Sequence, residues 1–191
     1  MYRALAFAFG ALVASCVPVT PAKSTANIAP SKIDVPQGVT LVQACTPTGP
    51  ELCFNATDDN CNGVIDEGCG LATGPLQFTI AWGDSPANVD LRVTDPTGAM
   101  VDAQRPTQSD GLRLDRDCPR DNCFGQNVEN ALFDGTEPPR GKYTVEIILT
   151  DTRGASLPVN VRFGARVGAR SYGADLTLER KDDKKAFAFT L

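Results

Sequence analysis

Residues 77–98 read QFTIAWGDSPANVDLRVTDPTG, and the rhythm of this stretch decides the fold. Phe78, Ile80 and Trp82 alternate with polar or small neighbours, and after DSPAN the residues Val89, Leu91 and Val93 do the same. Successive side chains of a strand point to opposite faces, so each run is a strand with one apolar face, and turn chemistry joins the two. The same period returns at Leu112 and Leu114, and at Tyr143, Val145, Ile147 and Leu149. It continues at Leu157, Val159, Val161 and Phe163, at Leu176 and Leu178, and at Phe187, Phe189 and Leu191. DPTG, PPRG and DTRG fill gaps between the runs, and no stretch carries a convincing helical period. Residues 75–191 are therefore expected to be mainly β, an antiparallel β-sandwich or jelly roll.

Working outward, residues 45–69 read CTPTGPELCFNATDDNCNGVIDEGC, with a cysteine at every eighth position and few apolar side chains. A segment this small (the module is taken as 45–70) needs staples or a metal to fold. Before it, residues 16–44 are rich in Pro, Ala, Ser and Thr without a sustained period, the composition of a flexible tether. The alternative there is that 39–42, VTLV, forms a strand of the fold. Residues 1–15 carry one charge, Arg3, and an apolar run over 4–14, which is a secretory signal too short to span a bilayer. The run ends Val13-Ala14-Ser15-Cys16, which resembles the bacterial lipobox. That resemblance implies cleavage before Cys16 and acylation of its thiol, so the partner would be a membrane, reached through lipid chains worth about 0.8 kcal/mol per buried methylene. The alternative is an ordinary signal peptide with a chance cysteine. Val17, rather than Asp, follows Cys16, which favours the outer membrane by the lipoprotein sorting pattern this resembles.

With Cys16 set aside, six of the seven cysteines remain: Cys45, Cys53, Cys61, Cys69, Cys118 and Cys123. An even count in an exported chain reads as disulfides, whereas the absence of histidine and of CxxC pairs argues against zinc. Cys118 and Cys123 enclose four residues and are expected to form a local bridge. The other four allow three pairings, and the sequence does not choose among them. The net charge of −5 comes with no basic stripe, so nucleic acid is a poor partner.

Within 58–68, DDNCNGVIDEG, oxygen-bearing side chains alternate at Asp58, Asn60 and Asn62 before the turn at Gly63. That alternation presents ligands around a hard cation, with the Val64 carbonyl, Asp66 and Glu67 available to complete the shell. The position of the bidentate Glu in an EF-hand is Cys69, so this is not a true EF-hand. The segment resembles the Cys-rich metal-binding motif of the MopE type, through Glu51, Cys53, Asp58, Asp59, Cys61, Asn62, Gly63, Asp66, Glu67, Gly68 and Cys69. Thrombospondin type 3 calcium repeats are similar in their Asp/Asn alternation. Cys53-Phe54-Asn55-Ala56-Thr57 departs from the motif, where Asn-Gly usually follows the cysteine. The MopE resemblance carries a copper association, but hard oxygens without imidazole select Ca2+. The alternative is a metal-free knot in which Asp and Asn only cap turns.

The later region is similar to exported domains of the DUF2135/YfaP type, and more distantly to pre-peptidase C-terminal β-sandwiches. Trp82, Val89-Asp90-Leu91, Asp95-Pro96-Thr97-Gly98, Val128-Glu129-Asn130 and the stretch PPRGKYTV over 138–145 carry this resemblance. Asp90, Asp115, Asp117, Glu129 and Asn130 could converge at one edge of the sandwich as a second Ca2+ site, the alternative being exposed strand and turn acids.

Without histidine, Ser-His-Asp, Cys-His and His-assisted metal hydrolysis are excluded. The expected function is that of a calcium-stabilised binding or structural module of the bacterial cell envelope, with a protein or glycan ligand and no catalysis. A carboxylate-dependent polysaccharide hydrolase and a copper-sequestering protein are the alternatives.

Overall fold

Val89, Leu91 and Val93 are fully buried, while Asn88, Asp90, Arg92 and Thr94 between them are half-exposed, as the alternation requires. The computed structural model describes residues 28–191 except 44, 109, 121, 122 and 124; Cys16 and the signal segment lie outside the described residues. The strands are β1 (Lys32–Asp34), β2 (Leu76–Ala81), β3 (Asn88–Thr94), β4 (Met100–Val101), β5 (Leu112–Arg116), β6 (Val128–Phe133), β7 (Lys142–Asp151), β8 (Val159–Val167), β9 (Arg170–Leu178) and β10 (Lys184–Thr190). They form two antiparallel sheets, ordered β1-β10-β7-β3-β4 and β5-β6-β2-β8-β9. No α-helix occurs among the described residues. The chain is a β-sandwich carrying a disulfide-rich module.

The sheets meet over an aromatic core. Phe78 and Phe163 from the second sheet pack against Phe187 and Phe189 of the first, with ring centroids 5.3 Å apart for Phe78–Phe189 and 4.4 Å for Phe163–Phe187. Burial of rings this size is the main favourable term in holding two sheets face to face. Tyr143 closes one end, its hydroxyl donating to the Pro139 carbonyl at 2.9 Å, an arrangement like the tyrosine corner of other sandwiches.

The strands β2 and β6 depart from the alternating pattern, because every residue in both is buried. Their outward side chains lie beneath the cysteine-rich segment. Gln77 Nε2 donates to the Ile65 carbonyl at 3.2 Å and to Asn130 Oδ1 at 3.1 Å, and Asn130 Nδ2 donates to the Ala72 carbonyl at 2.8 Å. Gly164 of β8 lies against the same segment, where a Cβ would sit 2.4 Å from the Ala56 carbonyl oxygen and 3.0 Å from Ile65 Cδ1. The 45–70 module is thus seated on the outer face of the second sheet, and its expected boundary with 75–191 is a packed contact.

The tether expected over 16–44 is corrected in its second half. Ile28 is buried, β1 pairs with β10, and Val42 bridges Gly173. Ile33, Val39 and Leu41 pack against the core. These apolar residues are spaced irregularly among Pro, Ser and Gly, so they cap edges and leave no periodic trace.

Candidate metal centres

The 45–69 knot is held by two interleaved bridges, Cys45–Cys61 and Cys53–Cys69, each closing a separation of 16 residues. Cys118–Cys123 forms the local bridge. Inside the knot, acids do the work that strand ladders do elsewhere. Glu51 accepts from the backbone N–H groups of Asp59 and Asp66, at 3.2 and 2.8 Å. Asp59 accepts from Thr48 Oγ1, the Leu52 N–H and Asn55 Nδ2. Burial raises Glu51 above the ordinary carboxylate range, and the N–H donors oppose that shift. The sequence pattern did not single out Glu51 and Asp59 as backbone staples.

Of the loop candidates, Asp58 accepts from the Asn62 N–H at 3.0 Å and the Gly63 N–H at 2.9 Å, and the Ser171 hydroxyl of β9 donates to it at 2.7 Å. Gly63 has φ +86°, and a Cβ there would lie 2.8 Å from the Ala169 carbonyl oxygen, so the turn and the seating both require glycine. The amides of Asn60 and Asn62 converge on one oxygen, Oε1 of Glu67, the former at 2.5 Å. The other Glu67 oxygen, Oε2, is buried without a hydrogen-bond partner. Val64 donates its N–H to Asn62 Oδ1 at 2.9 Å. Asp66 is turned away from this group: fully buried, it accepts from the N–H groups of Asn55 and Ala56 at 3.2 and 3.1 Å. Its backbone is left-handed (φ 51°), which breaks the simple alternation of ligand positions. Burial raises Asp66 above the ordinary range. The structure therefore brings together Asn60, Asn62 and Glu67, places Asp58 beside them through its bond to Asn62, and gives Asp66 a different task.

At the sheet edge, Asp90, Asp117 and Glu129 converge, with one carboxylate oxygen of each within 4.8 Å of the others. Asp90 is on β3, Glu129 on β6, and Asp117 follows β5. Glu129 is fully buried and accepts the Leu91 N–H at 2.6 Å, while its Oε1 meets no N–H or hydroxyl donor among the described residues and faces the Asp117 carboxyl. Burial, with Asp117 and Asp90 nearby, pushes this carboxyl well above the ordinary range. Asp90 accepts from Asn88 Nδ2 at 2.8 Å, and Arg120 forms an ion pair with Asp117. The other two residues expected here lie elsewhere. Asn130 follows Glu129 on the strand and faces the knot, and Asp115 accepts from the Ala72 N–H at 2.8 Å and Arg113 at 2.7 Å. The β5–β6 register shifts between Leu114 and Arg116, so alternation does not carry through to Asp117.

A further carboxylate pair, Asp95 and Asp110, escaped the sequence reading. Their Oδ2 atoms are buried and meet no N–H or hydroxyl donor among the described residues, and the two carboxyls hydrogen-bond each other; burial and this bond to Asp95 raise Asp110, while the bond to Asp110 helps to lower Asp95. Asp95 also closes the DPTG turn, its Oδ1 accepting from the Thr97 and Ala99 N–H groups.

Fold and sites together define an antiparallel β-sandwich with a disulfide knot seated on one face and clustered carboxylates in both parts. Comparison with protein-family models, with curated proteins and with solved structures finds no match to this chain.

Proposed function

We propose that this chain is a calcium-stabilised binding or structural module of the bacterial cell envelope, exported by its N-terminal signal and held by an acylated Cys16 at the outer membrane. The observation that carries the calcium reading is the group formed by Asn60, Asn62 and Glu67 beside Asp58, in which Glu67 keeps a buried oxygen without a partner. The Asn60 and Asn62 side-chain oxygens accept the Asn62 and Val64 N–H groups, and each keeps a second lone pair that a hard cation can use without turning the amide. Glu67 then supplies the charge, and Asp66 stays with its backbone donors. Three disulfides support export, since such bridges persist in oxidising compartments. The ligand class is a protein or glycan.

An open cleft of about 850 Å3 at the end of the sandwich, lined by Trp82, Asn160, Arg162 and Asp175 among others, does not favour the hydrolase alternative. Asp175, the one carboxylate among the described residues of its lining, is paired with Arg162 at 3.1 Å, whereas glycoside hydrolysis uses two acids across the bond.

Calcium is expected to raise the melting temperature of the mature chain. At a hundredfold excess over Kd the gain is about 2.7 kcal/mol, or roughly 5–10 °C for a chain of this size. Glu67→Gln, which leaves Asp58 with its backbone donors, should remove the part of the gain due to the loop, and an unchanged response would refute the loop site. Asp66→Ala is the wrong probe, because it would loosen the knot whether or not a metal binds. Fatty-acid labelling of wild type but not of Cys16→Ser would support the anchor, and equal labelling would overturn it.

A further inference from the structure

We propose that Asp90, Asp117 and Glu129 form a second, separate site for a hard divalent cation, best matched by Ca2+, which clasps the two sheets together where β3 lacks a neighbouring strand. The pairing of β3 with β4 reaches only Val93 and Thr94, so the earlier half of β3 has an open side. There the Leu91 N–H, which has no strand to meet, donates across to Glu129 of the opposite sheet. Asp90 comes from one sheet, while Glu129 and Asp117 come from the other, so an ion held by all three spans the sandwich.

One oxygen of each carboxylate lies within 4.8 Å of the others, close enough for a single ion to touch all three, and an all-oxygen set with no nitrogen or thiolate is the chemistry of Ca2+. The independent observation is Glu129 itself. It has no exposure to solvent, and among the described residues its Oε1 meets no N–H or hydroxyl donor; what faces it is the Asp117 carboxyl, within hydrogen-bonding reach. A carboxylate oxygen enclosed without such a donor is among the costliest groups to bury, and a fold that needed only to fill this space would be better served by an apolar side chain. A cation supplies the missing contact.

The surrounding charges leave the need for a divalent ion in place. The cationic groups acting on the cluster are Arg120, paired with Asp117, and Arg92, which acts on Asp90. Arg92 is already engaged by Asp102 and Glu146, at 3.6 and 3.5 Å. Three carboxylates facing one dedicated guanidinium leave a surplus that two positive charges cancel. Zinc and copper find no imidazole here, and the nearest sulfurs, Cys118 and Cys123, are bridged.

The site is independent of the 58–67 loop, and the test separates the two. The disulfide-bonded mature chain, stripped with chelator, is titrated with Ca2+ by calorimetry, and melting is followed with and without the ion. Glu129→Gln and Asp117→Asn should each remove one bound calcium or weaken it at least tenfold. Without calcium, Glu129→Gln should melt no lower than wild type, because an amide no longer crowds two carboxylates. Asp90→Asn, at a half-exposed position, is a gentler third variant that should weaken the same event. Loss of binding in these variants but not in Glu67→Gln supports this site and removes the loop reading. Unchanged stoichiometry and affinity in all three overturns it, as does a wild type that binds no calcium, since Arg120 would then suffice.

Discussion

Asp102, immediately after β4, shows how much one turn can concentrate on a single carboxylate. It accepts from the N–H groups of Gln104 and Arg105 at 3.1 and 2.9 Å, and from Arg105 Nη2 at 2.6 Å. The Arg105 guanidinium, followed by these N–H groups, holds Asp102 below the usual carboxylate range. A carboxylate whose pKa is lower in the folded state lends stability that is full above its unfolded value, near 3.8, and is lost as the pH falls through the folded value. Asp102→Asn should therefore be less stable than wild type at pH 7, with the difference shrinking below about pH 3.8; urea midpoints at both pH values check this. Tyr143→Phe should cost about 0.5–1.5 kcal/mol at any pH below the phenol's titration, because only the bond to the Pro139 carbonyl is lost. At this scale the sequence was a partial guide. The oxygen-bearing residues of 58–67 stood out by spacing, but a spacing argument assumes a uniform backbone. The left-handed conformations at Cys61 and Asp66 break that assumption and send Asp66 inward.

Among the elements, β3 and β7 were legible because one face is packed and the other wet. The strand β6, VENALF, was not read as a strand, since it is covered on both faces and shows no alternation. What covers it is the knot, whose place on the sheet no local pattern announces. Gly164 is the point where that seating is tightest. Gly164→Ala would set a methyl against the Ala56 carbonyl at 2.4 Å, a contact with backbone that only displacement of the knot can relieve. Limited proteolysis read on reduced gels should then show faster cleavage within 45–70 while 75–191 persists. Equal cleavage in wild type and variant would mean the knot tolerates the shift.

For the whole molecule, the sandwich was visible in the sequence because its core is a set of aromatic and branched residues at period two. Phe163 touches Phe78, Phe187 and Phe189, and it is fully buried. Phe163→Ala should cost about 3–5 kcal/mol, a fall in melting temperature of roughly 6–20 °C, measurable by calorimetry. The segment from Ile28 to Val42 was the least legible part, because it is held by edge contacts of one to three residues. That weakness has a mechanical consequence. Tension drawn along the chain from ahead of β1 would first unzip the three residue pairs with β10, then the lone bridge of Val42 to Gly173. It would next meet Cys45–Cys61, crossed by Cys53–Cys69, and covalent bonds do not yield to such a pull. The molecule thus has a short length of give, after which the bridges take up the slack of 45–69 and pass the load to the knot's seat on the second sheet and to β2.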